Sequence, residues 1–451
     1  MKINPDIFKA YDIRGIYPEE INEEVAYLIG RAYVKFLKKK KPRIVVGQDN
    51  RLSSPSLFNA LTLGMIEQGA DVVDIGLSTS PLLYWACAFF EFDGGINVTA
   101  SHNEGKYNGF KMVRERAIPI SEKSGIKEIK KMVLKGKFKT EARGQISEKE
   151  VLKEYVKFNL QDFSLKNIKP HEIAIDTANS VSGVIIPGIF RNFDCRIHHI
   201  FSELDGRFPN HQPDPLKREN LIALSETVRA EKADLGIGFD GDGDRVIFVD
   251  EKGDAVEGDI INALMAEIIL RERPGEKILY DIRSSNAVRE TIEREGGRPL
   301  IERIGHSYIK ERMRKENAIF GGELSGHYYH RDHFFCECPF FVLFKILERM
   351  SQSQKPFSEI ISPFKRYFGS GEINFKVEDK EKMLKKLEKN PPGGGEKGKI
   401  LKLDGLRIDF KDWWFLVRPS NTEPLLRLVL EAKSKELVEE KTHLLSDILN
   451  G

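Results

Sequence analysis

The sequence predicts an α/β protein of several domains that ends in a smaller α+β domain. Three observations support this fold class. The chain has 451 residues, which is too long for one ordinary core and suggests two to four domains. Short apolar runs alternate with helical patterns over most of this length, and the alternation is lost in the last part of the chain.

The predicted strands form three sets separated by helical patterns. Amphipathic segments such as 23–38, whose pattern is typical of helices, separate the short apolar runs. This alternation indicates largely parallel strands, with functional loops beyond their carboxyl ends. The predicted strands are 43–47, 71–76 and 95–99 in the first set, 172–176, 195–200, 235–239 and 246–250 in the second, and 277–281, 299–304 and 318–321 in the third.

The last part of the chain reads differently. A charged helical stretch at 381–389 precedes a Pro- and Gly-rich segment, 390–399, whose composition predicts a flexible turn. A hairpin and a further strand are predicted next, and then a closing helix from about Lys435. The hairpin strands are 404–410 and 413–417, and the further strand is 425–431.

Composition excludes some broad classes. Lys plus Arg total 71 and Asp plus Glu total 69, so the chain lacks the basic excess of a general nucleic-acid binder. No apolar stretch approaches the roughly 20 residues of a membrane helix, and no secretion signal is recognisable. Cys336 and Cys338 lack the second pair of a zinc site, so both are expected to be core or loop thiols. We therefore expect a cytoplasmic protein that acts on neither nucleic acid nor membranes.

A candidate metal loop follows the predicted strand 235–239. Asp240, Asp242 and Asp244 alternate with glycines, and three carboxylates at this spacing can converge on one magnesium or calcium ion. An EF-hand loop is the first alternative, but Arg245 occupies the sixth position, where that loop needs Gly. A solvated acidic turn is the second alternative.

Ser101 lies in a second candidate loop, TASHN, after the predicted strand 95–99. The sequence predicts an exposed turn here, without a nucleophile elbow or a Walker loop. Taken alone, Ser101 is most simply a turn or cap residue and Lys111 a surface lysine.

Two further loops carry polar groups. The segment GGELSGH offers Glu323 and Ser325 to a polyol ligand, although a Gly-rich surface turn is the simpler interpretation. The segment 417–427 (VRPSNTEPLLR) combines two arginines with hydroxyls and an amide, which suits a phosphate dianion as well as a capped turn.

These four loops occur in the order found in one family. The chain resembles the α-D-phosphohexomutases, in particular the phosphomannomutase/phosphoglucomutase group, over 8–431. Further similar segments are 8–15 (FKAYDIRG), 47–55 (GQDNRLSSP) and 205–215 (DGRFPNHQPDP).

The resemblance implies four domains around a central cleft, of which three are similar α/β mixed-sheet domains and the last is a smaller α+β domain. Each domain would contribute one loop to the cleft. The implied domains are 1–150 with the phosphoserine loop, 151–255 with the metal loop, 256–366 with the sugar-binding loop and 367–451 with the phosphate-binding loop.

The resemblance also implies a reaction. Hexose 6-phosphate and hexose 1-phosphate, of mannose or glucose, would interconvert through phosphorylated Ser101 and a hexose 1,6-bisphosphate, which is intermediate and activator. Mg²⁺ would be held by Ser101, Asp240, Asp242 and Asp244. Lys111, Arg245 and Arg14 would assist catalysis.

His327 is favoured as the general base, with Lys111 as the alternative and His306 as another candidate. The phosphosugar would contact residues from all parts of the chain. These are Tyr11, His102, Arg283, His306, Glu323, Ser325, Gly326, Arg418, Ser420, Asn421, Thr422 and Arg427.

Three departures from the family pattern stand out. Glu104 replaces a proline and would add negative charge near the phosphoserine, while 78–81 and 335–339 differ in detail. Leu324 stands where phosphoglucosamine mutases usually carry Gln, which favours mannose or glucose phosphates. The alternatives are a phosphoglucosamine mutase, a phosphatase and a non-catalytic phosphosugar sensor.

Overall fold

The computed structural model describes residues 3–139, 141–419 and 425–450. Its backbone divides into two compact units, described separately below. The first unit is Met1–Gly258, Lys310–Phe320 and Ser325–Ile360, and the second is Asp259–Ile309, Gly321–Leu324 and Ile361–Gly451.

Fourteen α-helices are present in the described part of the chain. They are α1 Glu23–Leu37, α2 Ser54–Glu67, α3 Ser80–Phe89, α4 Lys127–Lys135, α5 Leu152–Leu160, α6 Ile186–Phe190, α7 Ile222–Glu231, α8 Gly258–Glu272, α9 Asn286–Arg294, α10 His306–Glu316, α11 Pro339–Ser353, α12 Phe357–Ile361, α13 Lys380–Lys389 and α14 Lys435–Asn450. Within those described ranges, no helix combines the length and the apolar character needed to cross a membrane.

The first unit contains two mixed sheets. The first sheet has the order β1-β5-β4-β2-β3-β6, in which β4, β2, β3 and β6 are parallel, β5 is antiparallel to β4, and β1 is antiparallel to β5. Its strands are β1 Ile13–Ile16, β2 Arg43–Gln48, β3 Asp71–Leu77, β4 Gly94–Val98, β5 Tyr107–Arg114 and β6 Ile146–Glu148.

The second sheet has the order β11-β10-β9-β7-β8, with β9, β7 and β8 parallel and β10 antiparallel to β9. Its strands are β7 Glu172–Asp176, β8 Arg196–Ile200, β9 Leu235–Phe239, β10 Val246–Val249 and β11 Ala255–Val256. The turn between β9 and β10 holds the three aspartates, so the metal-loop candidate lies at the carboxyl end of a buried strand, as parallel α/β folds favour.

Five shorter strands lie between 277 and 337: β12 Lys277–Asp281, β13 Arg298–Glu302, β14 Phe320–Gly322, β15 Tyr328–His330 and β16 Cys336–Glu337. In the second unit β12 pairs with β13 in parallel, and in the first unit β15 pairs with β16 antiparallel.

The C-terminal part of the second unit is a five-stranded antiparallel sheet of order β17-β21-β20-β19-β18. Its strands are β17 Phe368–Lys376, β18 Lys399–Leu401, β19 Leu406–Asp409, β20 Trp413–Pro419 and β21 Leu425–Ala432. The apolar face of the sheet, with Phe415 and Leu428 fully buried, belongs to a core that includes Leu445 of α14. This part is the predicted α+β domain.

The structure contains more antiparallel strands than the sequence pattern predicts. The prediction of largely parallel sheets holds for the centres of the first two sheets only, because β5 and β10 return directly through short turns rather than through crossover helices. The mixed α/β fold class is confirmed.

Candidate active site

The Ser101 loop follows β4, and its backbone is sharply bent. Ser101 takes a left-handed conformation, φ +52°, which is uncommon for a residue with a Cβ. Its Oγ donates to Asp240 Oδ2 at 2.9 Å and lies 3.1 Å from His102 Nδ1. The side chain is buried, so the prediction of an exposed Ser101 is wrong. The burial comes from distant segments that cover the turn.

The aspartate loop approaches the Ser101 loop at backbone distance. A Cβ on Gly241 would lie 2.3 Å from the carbonyl oxygen of Ser101, so only glycine fits at this position. Asp240 Oδ1 accepts from the amides of Asp244 and Arg245 at 3.1 and 3.2 Å, which fixes that carboxylate at the mouth of its turn. Close packing of the two loops brings the serine hydroxyl to the carboxylates.

Lys111, on β5, neutralises part of this acidic cluster. Its Nζ lies 2.6 Å from Asp242 Oδ2 and 2.5 Å from Asp244 Oδ2, and the lysine is buried. The surface location considered for Lys111 is therefore wrong. Burial lowers the pKa of Lys111, but the charges of Asp242 and then Asp244 outweigh it and hold the pKa well above its ordinary value. The lysine is a fixed cation beside the loop.

The pKa values of Asp240 and Asp244 are shifted in opposite directions. Burial, with the charges of Asp242 and Asp244, raises the pKa of Asp240 well above its ordinary range. Burial also acts to raise the pKa of Asp244, but Lys111 and His327 overcome it and the pKa is held well below. Such divergence marks three like charges crowded into one buried place.

The cluster fits a hard cation. One oxygen from each of Asp240, Asp242 and Asp244 lies within 4.8 Å of the others, and all three residues are buried. Asp242 Oδ1 has no hydrogen-bond partner among the residues that the structure describes. A buried carboxylate oxygen left in this way costs free energy, and a cation with oxygen ligands would satisfy it.

His327 meets the same cluster from the GGELSGH loop. Its Nε2 lies 3.2 Å from Asp244 Oδ1 and 3.4 Å from Arg245 Nε, and its Nδ1 lies 2.9 Å from Ser325 Oγ. The amide of Val246 donates to the carbonyl of Gly326 at 3.0 Å, which ties this loop to β10. His327 is thus held between a carboxylate and a hydroxyl.

The N-terminal motif supplies a further cation to the first unit. Arg14, on β1, donates to Asn103 Oδ1 and to Asp12 Oδ2, both at 2.5 Å. Tyr11 is half-buried, just before β1. Burial first, and then the positive charges of Arg245 and Arg14, lowers the pKa of His102 well below its ordinary value. Burial, more than the nearby arginines, disfavours the protonated form of the imidazole beside Ser101.

In the second unit, Asp281 at the end of β12 contacts the predicted Arg283 and the backbone of the GGELSGH loop. Arg283 Nη2 lies 2.8 Å from Asp281 Oδ2, which also accepts from the amide of Leu324 at 2.9 Å. Glu323 is buried and its Oε2 accepts from the amide of Gly305 at 3.3 Å. His306 is the first residue of α10.

Arg418 and Arg427 face each other across the β20–β21 pair. Glu372 of β17 bridges them, with its two oxygens 3.3 Å from Arg418 Nη2 and 3.0 Å from Arg427 Nη1. Like charges directly opposite on a sheet repel, so the carboxylate relieves the pair. The predicted Ser420, Asn421 and Thr422 lie outside the described residues.

Comparison with known proteins decides the family. Four models of the phosphoglucomutase/phosphomannomutase type match in sequence: alpha/beta/alpha domain I at 5–140, domain II at 153–253, domain III at 257–367 and the C-terminal domain at 372–445. The chain belongs to the phosphoglucomutase/phosphomannomutase family. The predicted resemblance is thereby confirmed, as is the fold class of three α/β domains and a smaller C-terminal domain.

Relatives of this family align over nearly the full length. A phosphomannomutase of Vibrio cholerae is 39% identical and covers 98% of both chains. A phosphomannomutase of Methanocaldococcus jannaschii is also 39% identical, over 98% of this chain and 97% of its own. The crystal structure of a phosphoglucomutase/phosphomannomutase family protein from Burkholderia thailandensis superposes with a TM-score of 0.91 at 31% identity, covering 99% of this chain and 97% of that one.

In this phosphohexomutase, several residues that contact the predicted site residues are not among the residues predicted from the sequence. Arg51, Asp49 and Ser80 contact the Ser101 and aspartate loops, and Asp281 and Glu372 pair with predicted arginines. The motif 47–55 was the one signal that pointed to Asp49 and Arg51.

Two of the residues at which the chain departs from the family pattern form ion pairs with nearby lysines. Glu104 is exposed and pairs with Lys106 at 2.8 Å, a hydrogen bond that lowers the pKa of Glu104. Glu337, within 335–339, forms a fully buried ion pair with Lys310 at 2.9 Å. Cys336 and Cys338 are buried free thiols, as predicted.

Proposed function

We propose that this protein interconverts hexose 6-phosphate and hexose 1-phosphate, of mannose or glucose, with Ser101 as the phosphoryl carrier. The curated relatives are named phosphomannomutases, and the family is that of hexose phosphate mutases. The observation that carries the proposal is the hydrogen bond from Ser101 Oγ to Asp240 Oδ2 at 2.9 Å, inside a cluster of three buried aspartates and one buried lysine.

Two different phosphoryl groups are transferred in this reaction, one in each half. In the first half, the bond between phosphorus and Ser101 Oγ breaks and a bond to a sugar hydroxyl forms, which gives hexose 1,6-bisphosphate. In the second half, the other phosphoryl group of the bisphosphate returns to Ser101 Oγ. The net change is movement of one phosphoryl group between C6 and C1, and Ser101 ends phosphorylated as it began.

Mg²⁺ is the cation that we assign to Asp240, Asp242 and Asp244, together with an oxygen at Ser101. When bound, it would neutralise charge on the transferring phosphoryl group. The carboxylates supply oxygen-only ligands, and Asp242 Oδ1 is free of hydrogen bonds among the described residues.

The residues around the cluster act on charge and protons. Lys111 and Arg245 are fixed cations that stabilise the negative charge that develops during transfer. Arg14 holds Asn103 and so shapes the far side of the serine loop. His327 is the general base that we favour, because its imidazole is held beside Asp244 and can take the proton of the attacking hydroxyl. Lys111 is the alternative base, and we place it second because its Nζ is already engaged by Asp242 and Asp244.

Recognition of the phosphosugar is assigned mainly to other residues. Glu323 and Ser325 would accept and donate hydrogen bonds to the sugar hydroxyls, and Arg418 and Arg427 would hold the phosphate that is not transferred. The remaining contacts that we propose are Tyr11, His102, Arg283, His306, Gly326, Ser420, Asn421 and Thr422. We further propose four domains, 1–150, 151–255, 256–366 and 367–451. These domains would contribute the phosphoserine, metal, sugar-binding and phosphate-binding loops, in that order.

Phosphorus NMR tests this function. Purified protein is incubated with Mg²⁺, a trace of hexose 1,6-bisphosphate, and mannose, glucose or glucosamine 1-phosphate in turn. We expect the mannose or glucose compound to convert to its 6-phosphate with little free phosphate. Conversion of the glucosamine compound alone would move the substrate class to amino sugars, and release of free phosphate alone would indicate a phosphatase. Binding without conversion would favour a sensor.

A further inference from the structure

Two of the family-like segments, 47–55 and 205–215, have no role in the reaction described above. In the structure both lie against the Ser101 loop, and Arg51 is where they meet it. The Arg51 side chain is fully buried, and its Nε lies 3.0 Å from Asp49 Oδ2. A buried arginine with one carboxylate partner still has four N–H donors to satisfy.

All four remaining donors have partners in the backbone that surrounds Ser101. Nη2 donates to the carbonyls of Ser101 and Asn103, both at 2.7 Å. Nη1 donates to the carbonyls of Glu104 and Tyr107 at 2.6 and 3.2 Å. One planar guanidinium therefore fixes three peptide groups of the serine loop and the first peptide group of β5.

Asp49 closes the same network on the other side. Its carboxylate accepts from Thr99 Oγ1 at 2.7 Å and from Ser54 Oγ at 2.6 Å. Thr99 Oγ1 in turn accepts from the amide of Ser101 at 3.0 Å. The amide and the carbonyl of Ser101 are thus both tied, directly or through Thr99, to the Asp49–Arg51 pair.

The 205–215 segment covers this pair. The Phe208 ring lies 4.9 Å from the guanidinium carbon of Arg51, within the range of a cation–π contact. A Cβ on Gly206 would lie 2.3 Å from the carbonyl oxygen of Asn50, so glycine permits the close approach. Gln212 Nε2 donates to the carbonyl of His102 at 3.0 Å. The segment excludes water from the pair and adds one more tie to the loop.

We propose that Arg51 is a positioning residue for phosphoryl transfer, which holds Ser101 in its left-handed conformation under the cover of Phe208. A non-glycine residue in this conformation persists only where its surroundings impose it. The five hydrogen bonds of Arg51 supply that constraint, and they aim Ser101 Oγ at Asp240. Arg51 does not touch the reacting atoms, and this inference rests on the proposed function of Ser101.

The test uses Arg51→Lys, which keeps the charge but lacks the planar fork, and Phe208→Leu, which keeps apolar cover but removes the aromatic face. Arg31→Lys is the matched control. Arg31 also donates through all three of its nitrogens, to Gln68, Tyr27 and the carbonyl of Lys139, and it lies outside the site residues. The full-length variants are compared for melting temperature, kcat, KM and the rate at which phosphorylated Ser101 transfers its group to hexose 1-phosphate.

We expect Arg51→Lys to lower kcat and the transfer rate by about 100-fold, the scale of a misplaced reacting group, while KM changes less than about threefold. Phe208→Leu should lower both rates by a smaller factor. Arg31→Lys should leave both rates unchanged even if its melting temperature falls. A near-normal transfer rate in folded Arg51→Lys would overturn the inference, as would a rise in KM alone.

The experiments distinguish failure of the proposed function of Ser101 from failure of the positioning role of Arg51. If the wild-type protein carries no phosphoryl group on Ser101, the proposed function fails. A crystal structure of Arg51→Lys then still tests the positioning role. The inference predicts that Ser101 leaves the left-handed conformation, and an unchanged Ser101 would contradict it. If Arg51→Lys does not fold, the same measurements on Phe208→Leu decide, and unchanged rates in that variant would contradict the inference.

Discussion

The two regions that carry the proposed chemistry differ in their charged residues and in how deeply these residues are buried. In the first unit, three buried aspartates crowd around Ser101, with Lys111 against them. In the second unit, Arg418 and Arg427 face each other on an antiparallel strand pair, and both are only partly buried. The first region buries three carboxylates with cations fixed against them, and the second places two arginines near the surface.

This difference separates two tasks. Buried groups with several fixed partners cannot rearrange, which suits the stabilisation of a transition state. Arg418 and Arg427 both contact the partly exposed carboxylate of Glu372, and a phosphate can replace this carboxylate, which suits binding. Changes in the first region should therefore alter kcat, and changes in the second should alter KM.

The largest effect is expected from Ser101→Ala. Removal of the phosphoryl carrier should abolish turnover, while binding of hexose 1-phosphate, measured by calorimetry, should remain within about threefold because the recognition residues are untouched. Ser147→Ala, a substitution on the edge strand β6, is the control and should behave as wild type. Full mutase activity in Ser101→Ala would contradict the separation of the two regions.

Loss of the cation should come next. Chelation of Mg²⁺ or the substitution Asp242→Asn should reduce kcat by about three orders of magnitude, because a bound cation supplies several kcal/mol of charge stabilisation. Mg²⁺ should also raise the melting temperature of the wild-type protein, since it binds the folded state, and should do so less for Asp242→Asn. Equal stabilisation of the two proteins would place the cation elsewhere.

Arg418→Ala should act on binding. Loss of a charge-assisted hydrogen bond costs about 1.5–3 kcal/mol, so KM should rise about 10- to 100-fold with kcat little changed. Steady-state kinetics with the 1-phosphate and the 6-phosphate measure both parameters. A fall in kcat at constant KM would show that this region serves the chemical step instead.

Glu372→Gln should give the smallest effect and the opposite sign. Without the competing carboxylate, residue 372 no longer holds the two arginines by an ion pair, so KM should fall a few-fold. The free energy of unfolding should decrease by no more than about 1 kcal/mol, because the pairs are partly exposed. An increase in KM would mean that Glu372 orients the arginines rather than competes for them.

How far the sequence predicts the fold depends on the range of the interactions involved. The strands Glu172–Asp176, Leu235–Phe239 and Lys277–Asp281 have the predicted limits, because each is a short apolar run bounded by turn residues. The strand Tyr107–Arg114 was not predicted, since its pairing with β4 is set across the sheet rather than by its own composition.

The site shows the same division. The spacing of Asp240, Asp242 and Asp244 predicts their convergence, because the loop itself creates it. The burial of Ser101 could not be predicted, since the covering segments come from distant parts of the chain. Arg51 and Glu372 were missed for the same reason: their partners lie far away in sequence. Ser420, Asn421 and Thr422 stay predictions.

The central claim is that Ser101 carries the phosphoryl group, and peptide mass spectrometry tests it most directly. The protein is incubated with Mg²⁺ and hexose 1,6-bisphosphate, digested and analysed, with a second sample chased by hexose 1-phosphate before digestion. We expect one phosphoryl group on Ser101. When the phosphoryl groups of the bisphosphate carry ¹⁸O, the chase with unlabelled hexose 1-phosphate should replace the label on Ser101 by an unlabelled phosphoryl group, because the other phosphoryl group of the bisphosphate returns to Ser101. A phosphoryl group on another residue, or an unmodified Ser101 in a protein that still turns over substrate, would contradict the account.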